Sequence, residues 1–200
     1  ERMRVVRRTA ACAQSTLSFW GRFEAARQLS SDRPEHLRAR WVTRWARDIL
    51  SIFDLDVRAN GPFVGTGNAY PGADAHGICR IFVLNHRSGM DIPITFAYTH
   101  GRLVSRHDLA SWPVIGLGAQ RIGTLFVDRA SLRSGATVLK QMTRALQRGE
   151  AVAIYPEGTA FSGDEVRPFR PGAFRAAQKA GAEIIPIGLA YADERAYFGD

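Results

Sequence analysis

The residues whose types and spacing best suit catalysis are His86 and Asp91, which follow the apolar run Ile81 to Leu84. Four consecutive apolar residues that stop at a polar turn predict a buried strand, and a helix is predicted to begin at Asp91. A lone histidine is more often a structural hydrogen-bonding residue. At a strand end, however, a nearby carboxylate can accept from one ring nitrogen and leave the other as a base. We therefore predict that His86 deprotonates a substrate hydroxyl and that Asp91 orients it.

The segment between these two residues has no features of a serine nucleophile. Ser88 lies inside the predicted turn and lacks the glycine residues that frame a nucleophile elbow. Direct base catalysis is therefore preferred to a covalent enzyme intermediate.

Two further predicted strands also end in polar residues. Arg129 follows one of them, and Glu157, Gly158 and Thr159 follow the other. Because ligand sites in open α/β sheets form at the carboxyl ends of strands, we expect these residues to share a site with His86. An arginine fork suits phosphate, Glu157 and Thr159 can hydrogen-bond a polyol, and Gly158 permits a positive φ. Taken singly, a surface ion pair and a polar turn explain the same residues.

Strand patterns and helix patterns alternate along most of the chain, which predicts an α/β fold with a mostly parallel sheet flanked by helices. Proline inside the last strand, at Pro186, predicts an edge strand or a bulge. The predicted strands are 55–61, 81–84, 102–105, 122–127, 151–156 and 183–191, and the clearest helices are 131–149 and 171–181.

An amphipathic helical segment precedes this α/β part. In the first predicted helix, Leu17, Trp20 and Phe23 recur at three-residue steps. In the second, residues 37–53, apolar side chains recur every four residues while most arginines lie off that line. The stripe suits a helix in the lipid interface, where tryptophan and arginine are favoured, and it equally suits a helix docked on its own domain. Its members are Leu37, Trp41, Trp45, Ile49 and Phe53.

Charge and composition narrow the class of partner. The 200 residues carry a net charge of +8, and residues 1–60 hold twelve arginines against seven acidic residues. A basic surface suits anionic lipid, nucleotide or nucleic acid. No apolar run reaches the eighteen or so residues of a spanning helix, and the start does not resemble a signal peptide. Cys12 and Cys79 are most simply free thiols of a reducing compartment.

Four sequence blocks, in order, resemble the glycerolipid acyltransferase family of the 1-acyl-sn-glycerol-3-phosphate acyltransferase type. They are NHRSGMD, GTLFVDR, YPEGT and IIPIGLA. The resemblance implies transfer of a fatty acyl group from acyl-CoA or acyl-carrier protein to a glycerol hydroxyl, with no cofactor and no metal ion. It implies that His86 and Asp91 are the catalytic pair and that Arg129 and residues 157–159 bind the acceptor. The fourth block is linked to the acyl donor.

Two positions depart from the family pattern. Ala160 stands where arginine or serine usually follows Glu-Gly-Thr, which removes a possible phosphate contact. Arg106 stands where relatives often have a lysine. If that lysine stabilises the developing oxyanion, Arg106 does so with a bulkier fork.

The resemblance also implies where and on what the protein acts. The expected acceptor is a lysophospholipid, 1-acyl-sn-glycerol 3-phosphate, giving phosphatidic acid at the cytoplasmic face of the cell membrane. Lipid substrates favour the membrane interpretation of residues 37–53. We predict a membrane-associating segment at 1–54 and an acyltransferase domain at 55–200 that continues beyond this chain, with attachment that is peripheral or through a segment outside it.

Other functions remain as alternatives. Within the same class, the acceptor could be a lyso-ornithine lipid or glycerol 3-phosphate. From another class, the basic N-terminal part could bind nucleic acid. Its aromatic residues follow the spacing of a protein core and no nucleic-acid motif is present, so no nucleic-acid partner is expected.

Overall fold

The computed structural model describes residues 2–61, 73, 76–161 and 165–193. Helices and strands alternate within these ranges, as the sequence predicted. The helices are α1 (Arg2–Leu29), α2 (Pro34–Ile52), α3 (Asp91–Thr99), α4 (Ile115–Arg121), α5 (Leu132–Gln147) and α6 (Gly172–Ala180), with a 3-10 helix at His107–Ser111. The strands are β1 (Arg80–Leu84), β2 (Arg102–Arg106), β3 (Leu125–Val127), β4 (Val152–Ile154) and β5 (Glu183–Ile187).

The five strands form one sheet in the order β3-β2-β4-β1-β5, and every pairing is parallel. The predicted α/β fold is therefore confirmed. All carboxyl ends meet at one edge, where the polar sequences after the strands lie side by side. The last strand is an edge strand, which accommodates Pro186 and its missing N–H as predicted.

Side chains of the sheet alternate between two hydrophobic clusters. Phe82 and Ala153 face the cluster that contains α1, α2 and α3, whereas Ile81 and Val152 face the cluster formed with α5 and α6. Both faces of the sheet are thus covered by helices, which explains why β1 is a continuous apolar run and not an alternating one.

The apolar stripe of α2 packs on the protein itself, which favours the interpretation of a helix docked on its own domain; contact of residues 37–53 with a membrane stays a prediction. Trp45 lies between two neighbouring helices: its ring is 6.1 Å from Phe19 of α1 and 6.1 Å from Phe96 of α3. Its indole N–H donates to Thr16 Oγ1 at 3.1 Å. The stripe packs against an apolar surface formed by the sheet and α3. The sequence of α2 alone does not predict that surface. Since α1 and α2 share a cluster with the sheet, the division at residue 54 stays a prediction.

Two local features depart from the simple sequence patterns. Of the three-residue series in α1, Leu17 is 52% exposed, whereas Phe23 is buried together with Thr16 and Phe19. Residues 55–61 do not form a strand: Leu55 and Val57 pack against the core cluster without a neighbouring strand to pair with. No helix within the described ranges has both the length and the apolar character needed to cross a bilayer.

Candidate active site

The two residues that the sequence predicts to be a catalytic pair, His86 and Asp91, are in contact at the end of β1. His86 Nδ1 lies 2.7 Å from Asp91 Oδ2, the Asp91 side chain is fully buried, and the His86 side chain is 16% exposed. The same Oδ2 accepts from the backbone N–H groups of Arg87 at 2.6 Å and Ser88 at 2.8 Å. Because Oδ2 accepts hydrogen bonds from these two backbone N–H groups, it acts as an acceptor, and the imidazole ring supplies the hydrogen of the third bond. Nδ1 therefore carries the hydrogen, and Nε2 is the nitrogen left to take a proton.

The second carboxylate oxygen of Asp91 is held by a residue that follows β5. Tyr191 donates from Oη to Asp91 Oδ1 at 2.5 Å. Tyr191 is brought there by a pair of hydrogen bonds between Asn85 and the backbone of Leu189, at 2.8 and 2.6 Å, which fasten the chain after β5 to the end of β1. Asp91 is thus fully hydrogen-bonded, and the orientation of the His86 ring is set by a rigid acceptor.

The ring of His86 is also fixed from one side by an aromatic residue. Tyr155, which directly follows β4, stacks on His86 with 4.1 Å between ring centroids and 13° between planes. The Tyr155 hydroxyl lies 2.6 Å from Thr95 Oγ1 in the interior. Burial raises the pKa of Tyr155 well above its usual value, so this phenol stays neutral and acts as a packing surface for the imidazole.

The carboxylate of Glu157 is paired with a buried arginine, so this geometry does not favour the predicted contact of Glu157 with a polyol, which stays a prediction. Both carboxylate oxygens lie 3.3 Å from Nη1 of Arg87, and the side chains are 0% and 4% exposed. The Arg87 guanidinium also donates to the backbone oxygen of Glu165 at 2.9 Å and lies 4.3 Å from the ring centroid of Phe161. A buried arginine next to His86 required a counter-charge, and Glu157 supplies it.

The remaining predicted binding residues lie at the same edge of the sheet. Gly158 has φ +84°, so its predicted positive φ is confirmed, and Thr159 beside it is exposed. Arg129 is exposed to solvent, yet partial desolvation lowers the pKa of Arg129, and the positive charges of Arg170 and Arg106 lower it further. Arg106 is in a surface ion pair with Asp108 and not beside the catalytic pair, so the structure does not place it at the developing oxyanion.

An apolar cavity of about 510 Å³ lies next to the catalytic pair. Its wall includes Gly89 and Met90, which belong to the loop between His86 and Asp91. Helix α1 contributes residues such as Cys12 and Ala13, and the segment around α4 closes the opposite side. Such a cavity suits a long hydrocarbon chain, because nearly all of its lining is apolar.

Sequence reasoning missed three residues of this site: Arg87, Tyr155 and Tyr191. Each directly follows or adjoins a predicted strand end, which is the one signal that could have singled them out. Their partners are far away in the chain, so their roles depend on contacts that only the folded sheet creates.

Comparison with known proteins agrees with this geometry. The family model described as Acyltransferase matches residues 76–190, which contain the catalytic pair and the four strand ends discussed above. The chain belongs to the Acyltransferase family. The resemblance inferred from the four sequence blocks is thereby confirmed.

Curated relatives of this acyltransferase domain include enzymes with different acceptors in their names. A 1-acyl-sn-glycerol-3-phosphate acyltransferase of Neisseria meningitidis serogroup B is 30% identical over 78% of this chain and 58% of its own length. Its counterpart from Neisseria gonorrhoeae is 34% identical over the same shares. A lyso-ornithine lipid O-acyltransferase of Pseudomonas aeruginosa is 28% identical over 78% of this chain and 55% of its length. The chain thus spans a little over half the length of these relatives.

A solved structure shows the same fold. The crystal structure of the 1-acyl-sn-glycerophosphate acyltransferase PlsC from Thermotoga maritima matches with a TM-score of 0.64 over 92% of this chain and 74% of that chain. At 20% identity, the match supports the architecture of the sheet and its helices.

Proposed function

We propose that the protein transfers a fatty acyl group from a thioester, acyl-CoA or acyl-carrier protein, to the free hydroxyl of 1-acyl-sn-glycerol 3-phosphate, giving phosphatidic acid. The observation that carries this proposal is an oriented His86–Asp91 pair that adjoins an apolar cavity. The pair suits removal of a hydroxyl proton, and the cavity suits the acyl chain.

The proposed reaction proceeds in a direct transfer. His86 Nε2 takes the proton of the acceptor hydroxyl while the oxygen attacks the thioester carbonyl carbon. The new C–O bond forms, the C–S bond breaks, and the proton passes from His86 to the departing thiolate. A thioester is already activated, so positioning and proton transfer can supply most of the acceleration, and no cofactor besides the donor is needed.

A phosphate-bearing acceptor is supported by the charge at the edge of the sheet. Arg106 and Arg170 each lie close enough to Arg129 for their positive charges to lower the pKa of Arg129. Converging guanidinium groups suit a phosphate monoester. Two observations support a lyso-ornithine lipid as the competing acceptor. Ala160 removes a possible phosphate contact, and the Pseudomonas relative is named a lyso-ornithine lipid O-acyltransferase.

An acceptor panel tests the proposal. We expect the purified chain to release CoA from palmitoyl-CoA with 1-acyl-sn-glycerol 3-phosphate at a rate at least about tenfold above that with a lyso-ornithine lipid, which lacks the phosphate and so loses a charged hydrogen bond. We expect a similar or larger difference from glycerol 3-phosphate, which keeps the phosphate but has no acyl chain to bury. Released thiol and the lipid product are both measured. A higher rate with the lyso-ornithine lipid would identify that lipid as the acceptor, and no transfer to any of the three would reject the proposal.

We also propose that the protein docks on a membrane through α1 and the segment before α4, and not through the buried stripe of α2. Met3, Val6 and Leu17 lie on one face of α1 at helical spacing, with exposed fractions of 78%, 67% and 52%. Trp112 and Ile115 are 51% and 52% exposed, and Ile115 also lines the cavity. An apolar rim around a lipid-sized cavity, on a basic protein, suits an anionic bilayer. Cys12 and Cys79 are free thiols, as is usual for proteins of a reducing compartment, and this supports docking on the cytoplasmic leaflet.

Vesicle binding tests this surface. Val6→Glu with Leu17→Glu is expected to weaken binding to phosphatidylglycerol vesicles by about tenfold or more, because burying one such side chain contributes roughly 1.5–3 kcal/mol. The matched control is Leu132→Glu, since Leu132 is 94% exposed on α5, which covers the other face of the sheet. Equal losses in the two variants, or no loss in the first, would contradict the proposed face.

A further inference from the structure

The side chain of Arg170 lies directly over the turn that follows β4. A β-carbon added to Gly158 would be 2.8 Å from Arg170 Nε and 3.6 Å from its Cζ, so the guanidinium occupies the space above this glycine. Gly158 makes room for it because it has no side chain. The turn passes beside the catalytic pair, since Tyr155 at its start stacks on His86.

The backbone of Arg170 is held in this position from two sides. Its N–H donates to the backbone oxygen of Pro156 at 2.9 Å, which ties it to the same turn. On the other side, α6 begins at Gly172, and Phe169 stacks on Phe174 of that helix with 6.2 Å between ring centroids. A side chain on such a fixed backbone loses less conformational entropy when it binds a ligand.

Two arginines supply the positive charge beside this turn: Arg167 lies over the ring of Phe161, with 4.0 Å between Cζ and the ring centroid, and Arg170 lies over Gly158. Glu157 is paired with buried Arg87, and Ala160 carries no charge. Within the part of the chain that the structure describes, neither Arg170 nor Arg129 forms an ion pair with a carboxylate. The positive charge of Arg170 acts on Arg129 and lowers its pKa, and Asp108, which is paired with Arg106, offsets only part of this effect; a dianion between the two arginines removes their repulsion.

Strand order makes Arg170 the better placed of the two arginines. Arg170 lies over the turn that follows β4, and β4 is the neighbour of β1 in the sheet. Arg129 follows β3, which is three positions away from β1. At roughly 4.8 Å per strand, those three positions correspond to about 14 Å. Strand order therefore places the turn beneath Arg170 closer to His86 than the end of β3, which Arg129 follows.

We infer that Arg170 binds the phosphate monoester of the acceptor lipid, with Arg129 as the second arm of the site. This inference rests on the proposed function, because it names the residue that selects a phosphate-bearing acceptor for the hydroxyl at His86. A thioester of CoA carries phosphates too, so the two substrates must be separated by experiment.

Steady-state kinetics separates them. Arg170→Gln is expected to raise the KM for 1-acyl-sn-glycerol 3-phosphate by about 10- to 100-fold, as for the loss of one or two charged hydrogen bonds, while kcat and the KM for palmitoyl-CoA change little. Arg170→Lys restores part of the affinity. The matched control is Arg175→Gln, which removes the same charge from an exposed position on α6. An unchanged acceptor KM, or an equal rise in the KM for palmitoyl-CoA, would overturn the inference.

A binding measurement keeps this inference distinct from the proposed reaction. Titration of a short-chain lysophosphatidic acid, followed by the ³¹P resonance of its phosphate, needs no turnover. Binding by the wild-type chain that is lost in Arg170→Gln but kept in Arg175→Gln supports the site even if no acyl transfer occurs. Acyl transfer to lysophosphatidic acid together with undiminished binding by Arg170→Gln would reject Arg170 and leave the reaction in place.

Discussion

His86→Ala is expected to lower the rate of acyl transfer by about 10²- to 10⁴-fold, the contribution typical of a positioned general base. The reason is geometric: Asp91 and Tyr155 hold the ring so that Nε2 is the nitrogen left to accept a proton. The effect should fall on kcat, because His86 acts on the hydroxyl in the transition state, with smaller changes in the KM of either substrate. Release of CoA in the presence of lysophosphatidic acid measures it.

The matched control for this variant is His107→Ala. His107 follows β2 at the same edge of the sheet, and its side chain is 62% exposed. It should retain nearly wild-type activity. Because His86 stacks on Tyr155, its removal also costs roughly 0.5–1.5 kcal/mol of stability, so thermal unfolding is recorded for both variants. A folded His86→Ala protein with wild-type kcat would show that the base has been assigned wrongly.

Glu157→Ala is expected to destabilise the fold by roughly 3–5 kcal/mol, a large part of the total stability of a domain of this size. It leaves the Arg87 guanidinium, whose side chain is 4% exposed, without its counter-charge. Urea unfolding followed by circular dichroism measures the loss. The double variant Arg87→Met, Glu157→Leu removes both charges and is expected to recover most of the stability, since apolar replacement of a buried pair is often neutral.

The same pair of variants also tests what Glu157 does for activity. The N–H that Arg87 donates to Asp91 belongs to the backbone, so any substitution other than proline retains it. The double variant should therefore keep the catalytic geometry and a near wild-type KM for the acceptor. If it is stable but its acceptor KM rises strongly, Glu157 contacts the substrate after all, as the sequence alone had suggested.

Much of the fold was predictable from local patterns. The apolar run 81–84, the periodicity of 131–149 and the Pro and Gly at the ends of 171–181 each correspond to an element of the structure. These patterns succeed because a strand or helix buries one face and the sequence must supply that face. The catalytic pair was predictable for a related reason: His86 and Asp91 are five residues apart, and a strand end followed by a helix start brings such residues together.

Local patterns left alternatives open where burial depended on a distant surface. The pattern of the α2 stripe is compatible with a bilayer and with a protein core. In the structure, the stripe packs in the hydrophobic cluster formed with α1, α3 and the sheet. From the sequence, Glu157 is able to hydrogen-bond a polyol. In the fold, it pairs with the buried guanidinium of Arg87, which is 70 residues away from it in the chain. In each case the side chain met a partner whose position no local pattern describes.

The sequence by itself determined the parallel α/β architecture, the family and the pairing of His86 with Asp91, because all three depend on short-range spacing; the role of this pair as base and orienting carboxylate stays a prediction. Only the tertiary structure decided which residues complete the site. Tyr191 reaches Asp91 across 100 residues, Tyr155 covers the ring of His86, and Arg170 lies over Gly158. The physical reason is that parallel strands adjacent in the sheet are distant in the chain, so their carboxyl ends assemble a site that no single segment contains.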